Sequence, residues 1–319
     1  MIKISAVVLN WNQPKITIDC LNSLLAAKRG KEIVLEIVLV DNHSSEETIK
    51  ELKEHLDRAR FQKRSRRVSF VLVENKENLG FAEGNNRGIK QALKNGADYI
   101  FVLNNDTEID SACLISLIEA AQKNSEAGIL APKIYYAPGF EFYQDRYQKQ
   151  DLGKVVWYAG GQVDWVNVLG RHIGVDEVDR GQFDQEKKVF FATGCAFLAR
   201  REVFEKVGFF DQRFFLYLED LDFSLRVIKA GFKILFIPQA IVYHKNAASS
   251  GGSGSKLQNY YLTRNRLLFA SQHAFWKIKL SLLLEAGKII LGQDKTRRTA
   301  VVDFFTGRFG YKDINSIKE

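Results

Sequence analysis

Three carboxylates crowd into Phe214-Phe215-Leu216-Tyr217-Leu218-Glu219-Asp220-Leu221-Asp222, among aromatic and aliphatic neighbours. Burying a charge is costly unless it is paired or used. Apolar surroundings raise a carboxyl pKa toward the range where the group can take a proton from a hydroxyl at neutral pH. Local chemistry leaves a second reading open. Glu219 and Asp220 would cap a helix over 221–229 and pair with Arg213 or Arg226. A further acid, Asp106, closes the run Tyr99-Ile100-Phe101-Val102-Leu103-Asn104-Asn105-Asp106. An apolar stretch that ends abruptly in polar residues is how a buried strand delivers side chains to a site at its C-terminal edge. Similar polar clusters follow other apolar runs: Asn10-Trp11-Asn12, Asp41-Asn42-His43-Ser44-Ser45, and Asn78-Leu79-Gly80-Phe81-Ala82-Glu83-Gly84-Asn85-Asn86-Arg87. Each is also ordinary turn chemistry; their convergence is what points to a ligand. Asp41 is placed to accept from a base or ribose. Arg87 either offsets phosphate charge or lies on a helix surface. His244, just beyond a strand, either contacts metal or phosphate or simply packs.

The elements that must position these residues follow from periodicity. Apolar runs at 4–9, 34–40, 68–73 and 99–103 read as strands. Helices are expected from Pro14, over 46–59, and from the Gly80 region to 94. Strand and helix alternate, and the strands lack period-two alternation. That is the pattern of a parallel α/β sheet with helices on both faces. In the second half, a helix is expected at 111–123 and a strand at 127–134 with Pro132 near its edge or end. Residues 138–153 and 171–188 read as loops, with short strands and turns at 155–169. Residues 189–199 are too apolar for a surface loop and should run back into the sheet before a helix near 201. Residues 232–242 read as a strand interrupted by Pro238. The small-residue stretch 247–255 suits a mobile segment that closes over substrate. Helices at 256–273 and 275–290 follow, then a docked tail at 299–312.

Composition narrows the partners. The formal net charge of +8 favours an anionic ligand, nucleic acid or acidic membrane. The basic residues form no recognisable nucleic-acid module; the segment 58–67 reads as a solvated loop or a phosphate contact. Cys20, Cys113 and Cys195 form neither metal spacing nor a disulfide framework. Met1 leads straight into a strand with no leader, so a reducing, cytosolic setting is expected. The 275–290 helix carries Lys277, Lys279 and Lys288 among apolar residues. It suits the inner face of a membrane, the protein core, or a second subunit in a homodimer. There is no Gly-x-Gly-x-x-Gly after the first strand and no P-loop.

With these residues in place, the chain resembles the inverting family-2 glycosyltransferases of GT-A fold, with its closest likeness to the rhamnosyltransferase-like members. The marks are Ala6-Val7-Val8-Leu9-Asn10-Trp11-Asn12, Asp41-Asn42-His43-Ser44-Ser45, the Asn78 cluster, Leu103-Asn104-Asn105-Asp106-Thr107, Thr193-Gly194-Cys195-Ala196 and Phe215-Leu216-Tyr217-Leu218-Glu219-Asp220-Leu221-Asp222. The resemblance implies a Rossmann-like, mostly parallel central sheet flanked by helices. It divides the chain into a nucleotide-sugar half (1–110), an acceptor and catalytic half (111–255) and a C-terminal helical extension (256–319). It makes Asp220 the catalytic base. Asp41 becomes the acid that recognises a pyrimidine. Asp106 becomes the metal acid of an Asp-x-Asp element whose first acid is here Asn104, and His244 a contact to metal or diphosphate. Asn10, Asn12, Asn78, Gly80, Asn85, Arg87 and Asn105 fall on the donor side; Thr193, Gly194, Cys195 and Glu219 on the acceptor side. The implied cofactor is Mg²⁺ or Mn²⁺. The implied donor is dTDP-L-rhamnose or a UDP-sugar, and the acceptor a cell-surface glycan or lipid-linked glycan. A sugar nucleotidyltransferase and a non-catalytic glycan-binding protein are the alternatives.

Overall fold

A computed structural model describes residues 1–62, 67–246 and 254–317. The centre of the basic 58–67 segment and most of the 247–255 stretch, expected to close over substrate, lie outside the described residues. The first half alternates as the periodicity requires: β1 (Ile2–Asn10), α1 (Pro14–Ala26), β2 (Ile33–Asp41), α2 (Glu46–Gln62), β3 (Val68–Glu74), α3 (Gly80–Lys94) and β4 (Tyr99–Asn104). Pro14 opens α1, where its missing N–H costs nothing, and the helix buries Leu21, Leu24 and Leu25 against the sheet. After β4 come β5 (Thr107–Ile109), α4 (Cys113–Lys123), β6 (Ala127–Tyr136), β7 (Val156–Tyr158), β8 (Gly161–Asp164), β9 (Leu169–His172), β10 (Lys187–Val189), β11 (Ala196–Arg200), α5 (Arg201–Val207), α6 (Glu219–Lys229) and β12 (Lys233–His244). The C-terminal helices are α7 (Lys256–His273), α8 (Trp276–Leu291) and α9 (Lys295–Phe305).

The main sheet runs β10-β12-β6-β11-β4-β1-β2-β3, with β5 on β12 and β7 on β6. Its first half is wholly parallel: β1 pairs β2 and β4, and β2 pairs β3. Register sets Asn10 beside Asp41 and Asn104 beside Leu9, so the polar clusters share one carboxyl edge. The second half is mixed. β11 enters antiparallel between β4 and β6, with Ala196 opposite Leu103. That pairing carries Thr193 to Cys195 alongside the Asn104 edge. β12 runs parallel to β6 but antiparallel to β5, with His244 opposite Thr107.

Two strand readings change. Pro132 sits inside the fully buried β6, not at its end. Its partner is Ile237, where the β12 register shifts, so the donor that Pro132 lacks falls at an irregularity of the ladder. Pro238 lies within the same irregularity and does not break β12. The strand therefore continues to His244 as its last residue.

Candidate active site

The carboxyl edge of β1 and β2 is a connected polar network. The Asn10 amide donates to Asp41 Oδ1 (3.0 Å) and to Ser44 Oγ (3.1 Å). The Ser44 N–H donates to Asp41 Oδ2 (3.0 Å). Asn12, in the left-handed region at φ 53°, donates its N–H to Ser44 Oγ and accepts from the Ser45 N–H. Asp41 is fully buried, yet each carboxylate oxygen keeps a further lone pair for a ligand N–H or hydroxyl. Asn42, quoted in the motif but not singled out, is the hub of the next turn. Its amide donates to Asn78 Oδ1 (2.9 Å) and the Gly80 carbonyl (3.1 Å), and accepts from Asn75 Nδ2 and the Leu79 N–H. Asn78 also receives the Gly80 N–H (2.9 Å). Gly80 adopts φ 72°, and a Cβ there would lie 2.6 Å from the Phe215 carbonyl oxygen, so only glycine fits. Asn85 is buried and donates to the Phe81 carbonyl within α3. Asn86, one residue on, clamps both backbone groups of Phe210. Arg87 lies exposed on α3 and pairs with Glu83 at 3.1 Å, the helix-surface arrangement.

At the neighbouring strand edge, Asn105 donates to Thr17 Oγ1 (3.0 Å) and Gln13 Oε1 (3.3 Å), which ties the turn to α1. Asp106 and His244 are both buried. Asp106 Oδ1 lies 3.2 Å from His244 Nε2 but makes no hydrogen bond, and His244 Nδ1 is also buried without one. The His244 ring meets Trp157 edge-on at 4.5 Å, and Trp157 meets His172 at the same separation. Burial pushes the His172 imidazole down to about 4, so it is neutral beside His244. Trp157 and His172 carried no recognisable signal in the sequence.

Across this edge, the Gly194 N–H donates to Asp220 Oδ2 (2.7 Å) and the Leu221 N–H to Oδ1 (2.8 Å). The next residue, Cys195, accepts from the Asn104 N–H (2.8 Å), so one short segment binds both acid-bearing edges. A Cβ on Gly194 would lie 3.4 Å from Asp220 Cβ and 3.0 Å from the Phe81 ring. Thr193 is buried, and its hydroxyl accepts from the Cys195 N–H. Burial, with Asp106, Cys20 and Asp220 nearby, holds Cys195 as a thiol well above its ordinary pKa.

Glu219 and Asp220 belong to the first turn of α6 and do not cap it; Leu218, in the left-handed region, holds the cap position. Asp222 pairs with Arg226 (2.8 Å) and His273 (2.6 Å), while Arg213 pairs with Asp211. Glu219 is buried with Oε2 lacking any hydrogen bond, and burial followed by the Asp220 charge raises its pKa well above the usual range. Burial raises Asp220 to about 6, against the opposing pull of its N–H donors. Two adjacent acids are thus pushed apart. Glu219 is held neutral, and Asp220 ionises near neutrality and can take a proton.

The segment ahead of Asp220 is strained. Phe215, Tyr217 and Leu218 have φ of 63°, 70° and 72°. Two adjacent residues of α7 hold it. The Asn265 amide donates to the carbonyls of Phe214, Leu216 and Tyr217 (2.9, 2.8 and 2.9 Å). The Arg264 guanidinium, fully buried, donates to the carbonyls of Arg213, Phe214 and Gly310. The Phe215 carbonyl accepts from the Phe81 and Ala82 N–H groups, which locks the same loop to the start of α3. Arg264 and Asn265 were legible as helix residues but not as the clamp on the loop ahead of Asp220.

A family model described as "Glycosyl transferase family 2" matches residues 5–208. The chain is 28% identical over 212 residues to the N-acetylglucosaminyl-diphospho-decaprenol L-rhamnosyltransferase of Mycobacterium tuberculosis, covering 62% of this chain and 66% of that one. It is 26% identical over 245 residues to the low-salt glycan biosynthesis hexosyltransferase Agl10 of Haloferax volcanii, covering 76% and 69%. Of solved structures, GalNAc-T7 with UDP, GalNAc and Mn²⁺ superposes with a TM-score of 0.65 at 17% identity, over 96% of this chain and 56% of that one. Staphylococcus aureus TarS with UDP-GlcNAc gives 0.56 at 16% identity, over 96% and 81%. These likenesses establish the fold: a central sheet flanked by helices with a C-terminal helical region, consistent with GT-A.

Proposed function

The chain belongs to glycosyl transferase family 2, and on that footing we propose that it moves a sugar from a nucleoside-diphosphate donor to a hydroxyl of a glycan or lipid-linked glycan, with inversion. The observation that carries this reading is Asp220. It is a single acid raised to about 6, fixed by two backbone N–H groups at the first turn of a helix. In this scheme Asp220 accepts the proton of the acceptor hydroxyl as its oxygen attacks the anomeric carbon. The nucleoside diphosphate departs from the opposite face, and no sugar–enzyme bond forms. Asp41, with Asn10 and Ser44 holding it, reads the base. The Asn42–Asn78–Gly80 turn walls the nucleotide side.

Asp106 and His244 offer a carboxylate oxygen without a hydrogen bond and an imidazole 3.2 Å away, which fits a divalent cation. Among the described residues no group of three or more His, Cys, Asp or Glu side chains is suited to a metal. Mg²⁺ or Mn²⁺ held there would draw its remaining ligands from the donor, and would supply positive charge to the leaving diphosphate. The donor favoured here is dTDP-L-rhamnose, ahead of a UDP-sugar. The support is the mycobacterial relative's name as an L-rhamnosyltransferase. The acceptor belongs to cell-surface polysaccharide synthesis.

The test is a panel of sugar nucleotides read by thermal stabilisation and by metal-dependent release of nucleoside diphosphate. Stabilisation by dTDP-L-rhamnose and not by UDP-hexoses supports the donor; the reverse moves the assignment to UDP-sugars. Asp220→Asn is expected to keep donor stabilisation and lose transfer. Near-normal turnover by that variant sinks the mechanism.

A further inference from the structure

Helix α8 is apolar on two sides. Leu282 and Ala286 are buried and Ile278 and Ile289 half-buried, all toward α7 and α9, which accounts for one stripe. The opposite stripe faces outward among the described residues. Trp276, Leu280, Leu283, Leu284 and Leu291 are each about half or more exposed, and Phe275 just before the helix is 75% exposed. Spacings of three, four and seven place these side chains along one line of the helix, with Gly287 among them.

Charge decides what covers this line. Lys277 and Lys288 flank it on one side, both exposed; Lys279, on the other, turns back and donates to the Ser271 carbonyl of α7 (2.9 Å). The Lys277 ammonium lies 5.6 Å from the Trp276 ring centroid, the arrangement of a stem lying along an apolar surface with its head at the edge. The only acid in the helix, Glu285, faces the protein, bound by Arg266 (2.9 Å) and Arg297 (3.2 Å). The exposed face is therefore a ridge of large apolar side chains edged by the exposed Lys277 and Lys288, with no anion of its own. A second copy packed on it about a two-fold axis would bring lysines against lysines with no acid to answer them. No helix among the described residues is long and apolar enough to cross a membrane.

We propose that α8 lies in the plane of an anionic lipid surface. In that arrangement Trp276, Leu280, Leu283, Leu284 and Leu291 enter the headgroup–acyl boundary, and Lys277 and Lys288 contact lipid phosphates. The docked helix follows α7 after the two extended residues Ala274 and Phe275, and His273 of α7 binds Asp222 two residues past the proposed base. Membrane docking thus orients the cleft relative to a lipid-borne acceptor. The surface itself is inferred without reference to the transfer reaction.

Co-sedimentation of the full chain with vesicles tests this. One set is phosphatidylcholine with about one-third phosphatidylglycerol, the other phosphatidylcholine alone. The chain is expected to pellet with the anionic vesicles, and to release as salt rises. Leu280→Glu/Leu284→Glu is expected to cut partitioning at least about tenfold. Lys277→Ala/Lys288→Ala is expected to cut it about fivefold per lysine. Both variants change exposed side chains, and an unchanged melting temperature verifies their folding. No partitioning of the wild type, or equal partitioning of the leucine variant, overturns the proposal. A lipid-free dimer in light scattering that the leucine variant dissolves also overturns it, in favour of a second copy. No donor is present in the assay, so its failure leaves the glycosyl-transfer reading untouched, and the reverse holds too.

Discussion

Asn265→Ala tests whether α7 holds the base in place. Three non-glycine residues in the left-handed region, Phe215, Tyr217 and Leu218, store about 1–2 kcal/mol each, or about 3–6 kcal/mol in all. The Asn265 amide contacts three carbonyls of that segment. At about 1 kcal/mol net per hydrogen bond it returns about 3 kcal/mol. Arg264 still holds the Arg213 and Phe214 carbonyls in the variant, so the loop loosens without detaching. The carbonyls of Leu216 and Tyr217 lose their amide donor, and the segment is free to relax toward ordinary φ values. The lost hydrogen bonds cost about 3 kcal/mol and any strain released offsets part of that, so the melting temperature falls by at most about 5 °C for a chain of this size. Because the segment ends at the cap of α6, relaxation displaces Asp220. A shift of about 1 Å in a reacting group costs about a hundredfold in rate. The assay is a pH series of kcat and donor KM at saturating acceptor, beside a thermal melt. The expected result is a kcat loss of about tenfold to a hundredfold that exceeds any rise in donor KM. The acid limb should also move below about 6, as water reaches the loosened carboxylate. A melt that falls while kcat and its pH profile stay put refutes the positioning role. An unchanged melt together with unchanged kcat refutes the clamp itself.

Four other outcomes follow from the same geometry. Wild-type transfer should fall as pH drops through about 6, where Asp220 takes up a proton; a profile flat down to pH 5 contradicts its role as base. A carboxyl raised from 3.8 to about 6 stabilises the fold fully below about pH 4 and loses that contribution as pH rises through about 6, a change of up to about 3 kcal/mol. The melting temperature of Asp220→Asn should therefore gain on the wild type between pH 4 and 6.5, and a constant offset argues against the raised pKa. Gly194→Ala places a methyl 3.0 Å from the Phe81 ring and 3.4 Å from Asp220 Cβ. It should lower kcat severalfold with donor stabilisation kept, and wild-type kcat shows that the segment has room to give. Asp106→Ala should abolish any rate gained on adding Mn²⁺ after chelation, while the vesicle partitioning stays unchanged; full metal response in the variant removes Asp106 from the ion.

What could be read from the chain, and what could not, divides by the range of the interactions. The polar carboxyl edge of the sheet was legible because strand-then-polar-turn is a local pattern. Asn10, Asp41 and Ser44 meet through the β1–β2 register that their own apolar runs impose. Asp220 stood out because three acids in aromatic surroundings demand an explanation. Antiparallel entry of β11 was not legible, since an apolar run carries no direction. Nor was the continuation of β12 through Pro238, where a register shift absorbs a residue that usually ends strands. Arg87 has the same local context whether it meets a phosphate or its helical neighbour; in the structure its partner is Glu83.

The hardest feature to foresee is the most consequential for the site. Arg264 and Asn265 lie more than forty residues after Asp220 in a helix with little amphipathic pattern, yet six of their hydrogen bonds end on backbone carbonyls, five of them in the loop that leads to the proposed base. Backbone carbonyls leave no trace in the sequence, so no side-chain pattern announces the contact. The same helix is tied to α6 again by His273 on Asp222 and leads directly into α8. A strained loop needs an external brace to persist, and here the brace is the C-terminal helical region. Those helices are therefore a working part of the site, and a truncation before 256 should destroy transfer even though the family-matched stretch, 5–208, would be left whole.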